Sequence, residues 1–223
     1  PYRVSNQELQ EFCPKFEGIT NVEGTDYLIL ENMLKDRANA SCMDIKVGSK
    51  TYTDDMAADK IERCKAKTAK TTSGSVGYRI TGIIMKDKEG NIVKSHTKKE
   101  GMDKITADSL PEYLREFATD PMTSEVNESA IDFFVDRLSS ILTWFKTVNE
   151  RYFISSSLFF VMDHTQDEFD VKMIDFGHVG EHNGRDMEYI EGITNIIAHW
   201  KEAKRGKKSS SCCNIWQNFA RPE

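Results

Sequence analysis

The feature that most constrains this fold is a pair of apolar strands with almost nothing between them. YFISSSLFFVMD (residues 152–163) and DVKMIDFG (170–177) are joined only by HTQDEF. A link that short makes them an antiparallel hairpin. A second hairpin is expected from Gly77–Met85 (GYRITGIIM) and Asn91–Thr97, turning through KDKEGN with Gly90 at a positive φ. Asp26–Met33 reads as a further strand. Cys42–Gly48 alternates Met43, Ile45 and Val47 against Asp44 and Lys46. That period of two puts both charges on one face of a strand.

Helical spacing appears four times. Asp55–Lys70 carries Ala57, Ala58, Ile61 and Cys64 on one side and basic residues on the other. Asp108 or Ser109 is placed to cap a second helix, with Pro111 in its opening turn. Asn127 is placed to cap a third, whose stripe is Ile131, Phe134, Leu138, Ile141, Phe145 and Val148. The last runs from about Met187 to Lys204, with Ile190, Ile193, Ile196, Ile197 and Trp200 on one side. The chain is therefore α+β, with antiparallel sheets and flanking helices.

At 223 residues the length suits one large domain or two small lobes. Hydrophobic residues are 39% and charged residues 30%, the composition of a soluble globular enzyme rather than a disordered chain. The longest apolar run, Leu158–Met162, is strand-sized, and a membrane helix needs about 20 apolar residues. The polar N-terminus does not read as a signal peptide. The cysteines (13, 42, 64, 212 and 213) are odd in number and scattered. They read as reduced thiols of a cytoplasmic or nuclear protein. A monomer is expected.

Net charge is −6, yet cations crowd the stretch from Lys60 to Lys104. That makes it a candidate anion site, against the blander reading of a solvated helix face. Lys60, Arg63 and Lys67 share one face, at i, i+3 and i+7. The stretch lacks interleaved aromatics and the chain is acidic, which argues against a nucleic-acid partner.

Two constellations carry chemistry. In VKMIDFGH (171–178) a strand fixes Asp175, and Gly177 is expected to permit an abrupt turn. A carboxylate there suits Mg²⁺, which takes one or two protein carboxylates plus phosphate oxygens. Protein kinases use Asp-Phe-Gly this way, but their catalytic and Gly-rich loops are absent here. Asp44 and Lys46, two apart on a strand, can converge on one site. The carboxylate would orient or deprotonate a hydroxyl, and the ammonium would neutralise phosphate. The competing reading is a cross-strand surface ion pair.

SCMDIKVG (41–48) resembles the PxxxDxKxG signature of the inositol polyphosphate kinase family, with Ser41 or its neighbours where the family has Pro. Asp26–Met33 resembles its nucleotide hinge strand. TSGSVGYRITG (72–82) resembles its Leu-Gly-x-Arg-x-x-Gly strand, with Val76 for Leu. Ser156–Leu158 is similar to its Ser-Ser-Leu motif, IDFGH (174–178) to its Ile-Asp-Phe-(Ala/Gly)-(His/Lys) motif, and DMEYIEG (186–192) to the segment opening its last helix. The likeness spans about residues 10–203.

The resemblance implies a two-lobed fold related to protein kinases and ATP-grasp enzymes. Residues 1–34 would be the remainder of the small lobe and hinge, and 35–206 the large lobe. An inositol-phosphate-binding segment would span about 54–106, and 207–223 would be a tail. It implies an ATP- and Mg²⁺-dependent kinase of soluble inositol polyphosphates. Glu31 and Met33 would meet adenine through their backbone. Asp44 would lie near the ribose or the acceptor hydroxyl, and Lys46 would contact substrate and the transferred phosphate. Asp175 would hold Mg²⁺, with Ser157 as a second ligand. His178, Lys60, Arg63 and Lys67 would bind the inositol phosphates, with Lys98, Lys99 and Lys104 as weaker candidates. KEGM (99–102) departs from the family there by lacking its Arg.

In the family, a Lys upstream of FCPKFEG (12–18) grips the ATP phosphates. It has no counterpart in this sequence, which starts at Pro1 and so reads as a fragment of a longer protein. A chain truly starting there would bind ATP weakly. His178, where trisphosphate 3-kinases usually carry Lys, favours the multikinases and hexakisphosphate kinases, with a lean to a hexakisphosphate or hybrid type. The alternatives are a non-catalytic inositol-phosphate-binding pseudokinase and an inositol-trisphosphate 3-kinase.

Overall fold

The computed structural model describes residues 7–97, 99–100, 104–181 and 184–206. Lys98 and the tail from Lys207, with Cys212 and Cys213, lie outside the described residues. The strands are β1 (Phe16–Val22), β2 (Thr25–Leu30), β3 (Ser41–Val47), β4 (Tyr78–Lys86), β5 (Ile92–His96), β6 (Arg151–Ile154), β7 (Ser157–Asp163), β8 (Glu168–Ile174) and β9 (His178–Glu181). The helices are α1 (Gln7–Glu11), α2 (Ala58–Ala69), α3 (Thr72–Val76), α4 (Leu110–Phe117), α5 (Glu128–Thr147) and α6 (Met187–Arg205).

A 5-stranded antiparallel sheet in the order β5-β4-β3-β7-β8 is the platform. Alternation along β3 decides what each face does. Met43, Ile45 and Val47 are buried, while Cys42, Asp44 and Lys46 are half-buried on the opposite face. The apolar face packs on α5 and α6. Phe134 of α5 is the hinge pin of that core, its ring 5.1 Å from Trp200 of α6 and 5.3 Å from Phe160 of β7. The α5 stripe is buried as its spacing requires, except Val148, which falls on the C-cap and is 40% exposed. Asn127 caps α5 by accepting from the Ala130 amide at 2.9 Å. Ser109 caps differently from expectation: its hydroxyl closes a capping box with Thr106 around the 3-10 turn Ala107–Ser109 and makes no side-chain cap to α4.

The first turns of α6 meet the end of β3 at unusually short range. A Cβ on Gly192 would stand 2.7 Å from the Gly77 carbonyl and 2.7 Å from the Val47 side chain. Gly77 itself sits at φ 72 and accepts from the Gly48 amide at 2.7 Å. Gly192→Ala must therefore push helix and strand apart, at a cost of roughly 1–3 kcal/mol. The expected result is a melting temperature lower by several degrees, read by thermal denaturation.

The smaller sheets flank the platform. β1 and β2 form one hairpin and β6 and β9 a second pair. Cys13, Cys42 and Cys64 are free thiols. Burial pushes the Cys13 thiol up to about 12, so it packs as an inert apolar group.

Candidate active site

Two neighbouring strands kink at the same level. YFISSSLFFVMD is not one strand: it breaks into β6 and β7 at Ser155, which has φ 61. The adjacent chain breaks between β8 and β9 at Asp175, with φ 63. Ser157 pairs with Ile174 on one side of the kinks, and Ile154 with His178 on the other. The abrupt turn expected of Gly177 is thus made by Asp175, and Gly177 does not occupy the left-handed region. Non-glycine residues held there cost about 1–3 kcal/mol each and cluster at functional sites. The kinks have two consequences. The Ser155 carbonyl accepts a short hydrogen bond from Lys46 Nζ. Phe176 turns inward, its ring 5.7 Å from Phe153, leaving Asp175 and His178 exposed.

Strand register then aligns a row of polar groups across four strands. Arg79 of β4 lies opposite Lys46 of β3, Lys46 opposite Ser157 of β7, and Ser157 opposite Ile174, the residue before Asp175. Directly opposed side chains share a face, with Cβ atoms about 5 Å apart. One step along, Asp44 opposes Phe159. Asp44 Oδ1 and Ser157 Oγ are buried and have no hydrogen-bond partner among the described residues. Arg79 Nε is unpaired among the described residues as well, and because buried polar atoms are nearly always paired, three such atoms on one face of the sheet suit a bound polar ligand.

Arg79 is the residue that sequence reasoning missed. It is 3% exposed, and its guanidinium donates to Ser73 Oγ at 2.7 Å. Burial lowers its pKa, and the Asp44 carboxylate and the Cys64 thiol oppose that shift. In the sequence it falls within the cation-rich stretch from Lys60 to Lys104 and at the Arg of the Leu-Gly-x-Arg-x-x-Gly resemblance, with no role assigned to it. The available signal was an Arg set inside the otherwise apolar strand YRITGIIM.

A cleft of about 560 Å³ opens beside this row, lined by Leu30, Glu31, Met33, Phe159, Ile174 and Asp175 among others. The Glu31 amide donates to the Lys15 carbonyl at 2.8 Å and is therefore spent. Among the described residues the Glu31 carbonyl and the Met33 amide have no partner. The expected backbone contacts narrow to one acceptor and one donor, two residues apart, at the rim of an apolar slot. That pattern fits the edge of a planar base. No three His, Cys, Asp or Glu side chains cluster as metal ligands among the described residues. A single carboxylate at Asp175 beside the Ser157 hydroxyl fits a Mg²⁺ whose other ligands are phosphate and water oxygens.

α2 lies exposed, with no fully buried residue. Lys60 and Arg63 are exposed and Lys67 is half-buried. Arg63 pairs with Asp59 at 3.0 Å, one turn earlier. The Asp55 carboxyl is held below its usual range. Its hydrogen bond with Thr53 is the largest cause, followed by its own backbone, while the nearby His178 and Lys60 add to the effect. His178 from β9 and Lys60 from α2 thus both lie close enough to Asp55 to act on its carboxylate. Lys104 is instead tied to Glu100 at 3.2 Å.

A base-sized slot, an Asp–Lys pair on the sheet beside it and the cations of α2 suit a phosphotransferase on an α+β fold of antiparallel sheets and flanking helices. The comparisons give its kind. The family profile described as inositol polyphosphate kinase matches residues 27–201, and the chain belongs to that family. It is 28% identical to inositol polyphosphate multikinase alpha of Arabidopsis thaliana over 236 residues, covering 93% of this chain and 82% of the relative. It is 25% identical to inositol hexakisphosphate kinase 3 of Mus musculus over 207 residues, covering 81% of this chain and 52% of that one. A solved inositol phosphate multikinase superposes with a TM-score of 0.75 at 26% identity, covering 89% of this chain and 94% of the other. No helix among the described residues is long and apolar enough to cross a membrane.

Proposed function

We propose that this chain transfers the γ-phosphoryl group of ATP to a hydroxyl of a soluble inositol polyphosphate, in the manner of a multikinase. The observation that carries this reading is the row Arg79–Lys46–Ser157, with the orphaned Asp44 Oδ1 beside it and Asp175 at its end. Phosphoryl transfer is mostly positioning and charge stabilisation, and this row supplies both. The Glu31 carbonyl and Met33 amide would hold the adenine edge. Asp44 would orient the acceptor hydroxyl and take its proton, or hold the ribose. The Lys46 ammonium would follow the phosphoryl oxygens, and the buried Arg79 would add fixed positive charge behind it. Asp175 and Ser157 would hold Mg²⁺, which when bound neutralises the phosphate oxygens. Lys60, Arg63, Lys67 and His178 would take the inositol phosphates. The odd, scattered cysteines of the sequence are the ground for proposing a reducing compartment, cytoplasm or nucleus, as the place of work.

The multikinase type is favoured over the hexakisphosphate type because inositol polyphosphate multikinase alpha of Arabidopsis thaliana aligns over 82% of its own length, against 52% for inositol hexakisphosphate kinase 3 of Mus musculus. His178 supports both over a trisphosphate 3-kinase. The test is incubation of the full-length protein with ATP, Mg²⁺ and a panel of inositol phosphates, followed by product separation. Successive phosphorylation of partly phosphorylated inositols is expected. Product formed from the hexakisphosphate alone would reverse the assignment.

The cations on α2 give a second test. Lys60→Ala, Arg63→Ala and Lys67→Ala should each raise KM for inositol phosphate more than KM for ATP. A charge-assisted contact is worth roughly 1.5–3 kcal/mol, or about ten- to hundredfold. Arg63 should show the smallest change, since Asp59 already holds it. The effect should grow with the number of phosphates on the substrate. A fall in ATP affinity instead would assign the helix to the nucleotide.

A further inference from the structure

We infer that Glu188 is a positioning residue: from the first turn of α6 its carboxylate holds the Ser49–Lys50 turn after β3, and so sets where the Lys46 ammonium stands. The inference rests on the phosphotransfer reading above. Glu188 Oε2 accepts from the Ser49 amide at 2.9 Å, from the Lys50 amide at 3.2 Å, and from the Ser49 hydroxyl in a short contact. Gly48, at φ 92, turns the chain so that these consecutive amides face one carboxylate. The helix N-terminus favours a carboxylate there.

The same turn of α6 grips the other side of the site. Asp186, buried at the N-cap, accepts from the Tyr189 amide at 3.1 Å and from the Phe153 amide of β6 at 2.8 Å. Phe153 lies two residues before Ser155, whose carbonyl receives Lys46 Nζ. One carboxylate thus fixes the strand end that follows Lys46, and the other fixes the strand that presents its acceptor. The close approach of Gly192 to Gly77 and Val47 leaves little room for slippage between them. Glu188 is exposed, and its distinctive partners are the backbone amides of that turn. Removing it should therefore loosen the Lys46 end of β3 without opening the core.

The experiment uses the full-length protein as wild type, Glu188→Ala, Glu188→Gln and Ser49→Ala. The first measurement is steady-state kinetics. Glu188→Ala should lower kcat by about 10²-fold, the scale of an ångström-sized misplacement, with KM for ATP unchanged. Glu188→Gln, which keeps an acceptor oxygen, should recover most of that loss. Ser49→Ala, which deletes one donor of three, should show a smaller fall. The second measurement does not need turnover: acylation of Lys46 by a small amine reagent, followed by peptide mass spectrometry. Lys46 should react several times faster in Glu188→Ala, and measurably faster in Ser49→Ala, while lysines other than Lys46 and Lys50, which lies in the released turn, keep their wild-type rates.

Unchanged Lys46 reactivity would overturn the inference, as would a fall in kcat that tracks the melting temperature and that Gln does not rescue. If Glu188→Ala does not fold, Ser49→Ala decides the matter in the same two assays. If the wild type shows no phosphotransfer, the kinase reading fails, and the Lys46 reactivity still decides whether Glu188 positions that side chain.

Discussion

Asp175→Asn is expected to abolish phosphotransfer and leave the melting curve where it is. The two halves of that result have separate causes. Asp175 sits at φ 63, in the left-handed region, where Asn is among the few residues that are comfortable. Its side chain is exposed at the cleft and has no hydrogen-bond partner among the described residues, so the amide disturbs no packing. The substitution removes one negative charge from the place where the metal would be held. A metal clamp on transferring phosphate is worth several kcal/mol in the transition state, so turnover should fall by at least about 10³-fold. Steady-state kinetics beside a thermal melt checks both halves. Activity near wild type would remove Asp175 from the metal site.

The second large effect is expected at Asp44 and Lys46. Asp44→Asn is nearly isosteric on a strand flanked by the buried Met43 and Ile45, so its stability cost should be confined to the lost attraction for the buried Arg79. If Asp44 takes the acceptor proton, kcat should fall about 10²–10⁴-fold, as for a positioned acid–base group. If it holds the ribose, the loss should appear in KM for ATP. Lys46→Met keeps the apolar stem and deletes the charge. It should impair substrate binding and turnover together, because the ammonium serves the phosphates before and during transfer. Variants that lose stability and activity in proportion would make the pair a structural one.

Much of the site was legible because β3 obeys a period of two. One buried face forces Asp44 and Lys46 onto the other, and no tertiary knowledge is needed for that. The long helices were legible for the same reason, since each has one apolar stripe. Three things were not. The β1 strand carries exposed apolar side chains, Ile19 and Val22 among them, and shows no alternation to read. The break at Ser155 is a backbone event in a run of serines that side-chain pattern cannot place. Arg79 could be seen in the sequence as an Arg within an apolar strand, but its place in the site came only from register, because it faces Lys46 from another strand. Turn chemistry misled once: glycine was given the kink that Asp175 makes, since a strained aspartate leaves no mark on composition.

The central claim is that the row from Arg79 to Asp175 is one phosphotransfer site. It is tested most directly in a single turnover. The full-length protein, in excess over ATP labelled at the γ-phosphate, is mixed with Mg²⁺ and a partly phosphorylated inositol, and the label is followed. The account requires the label to pass from ATP to the inositol product, with transfer lost on chelation of the metal and lost in Asp175→Asn while that variant still melts like wild type. Saturable binding of the inositol phosphate with the label remaining on ATP would contradict it, and would leave a binding protein built on a kinase fold.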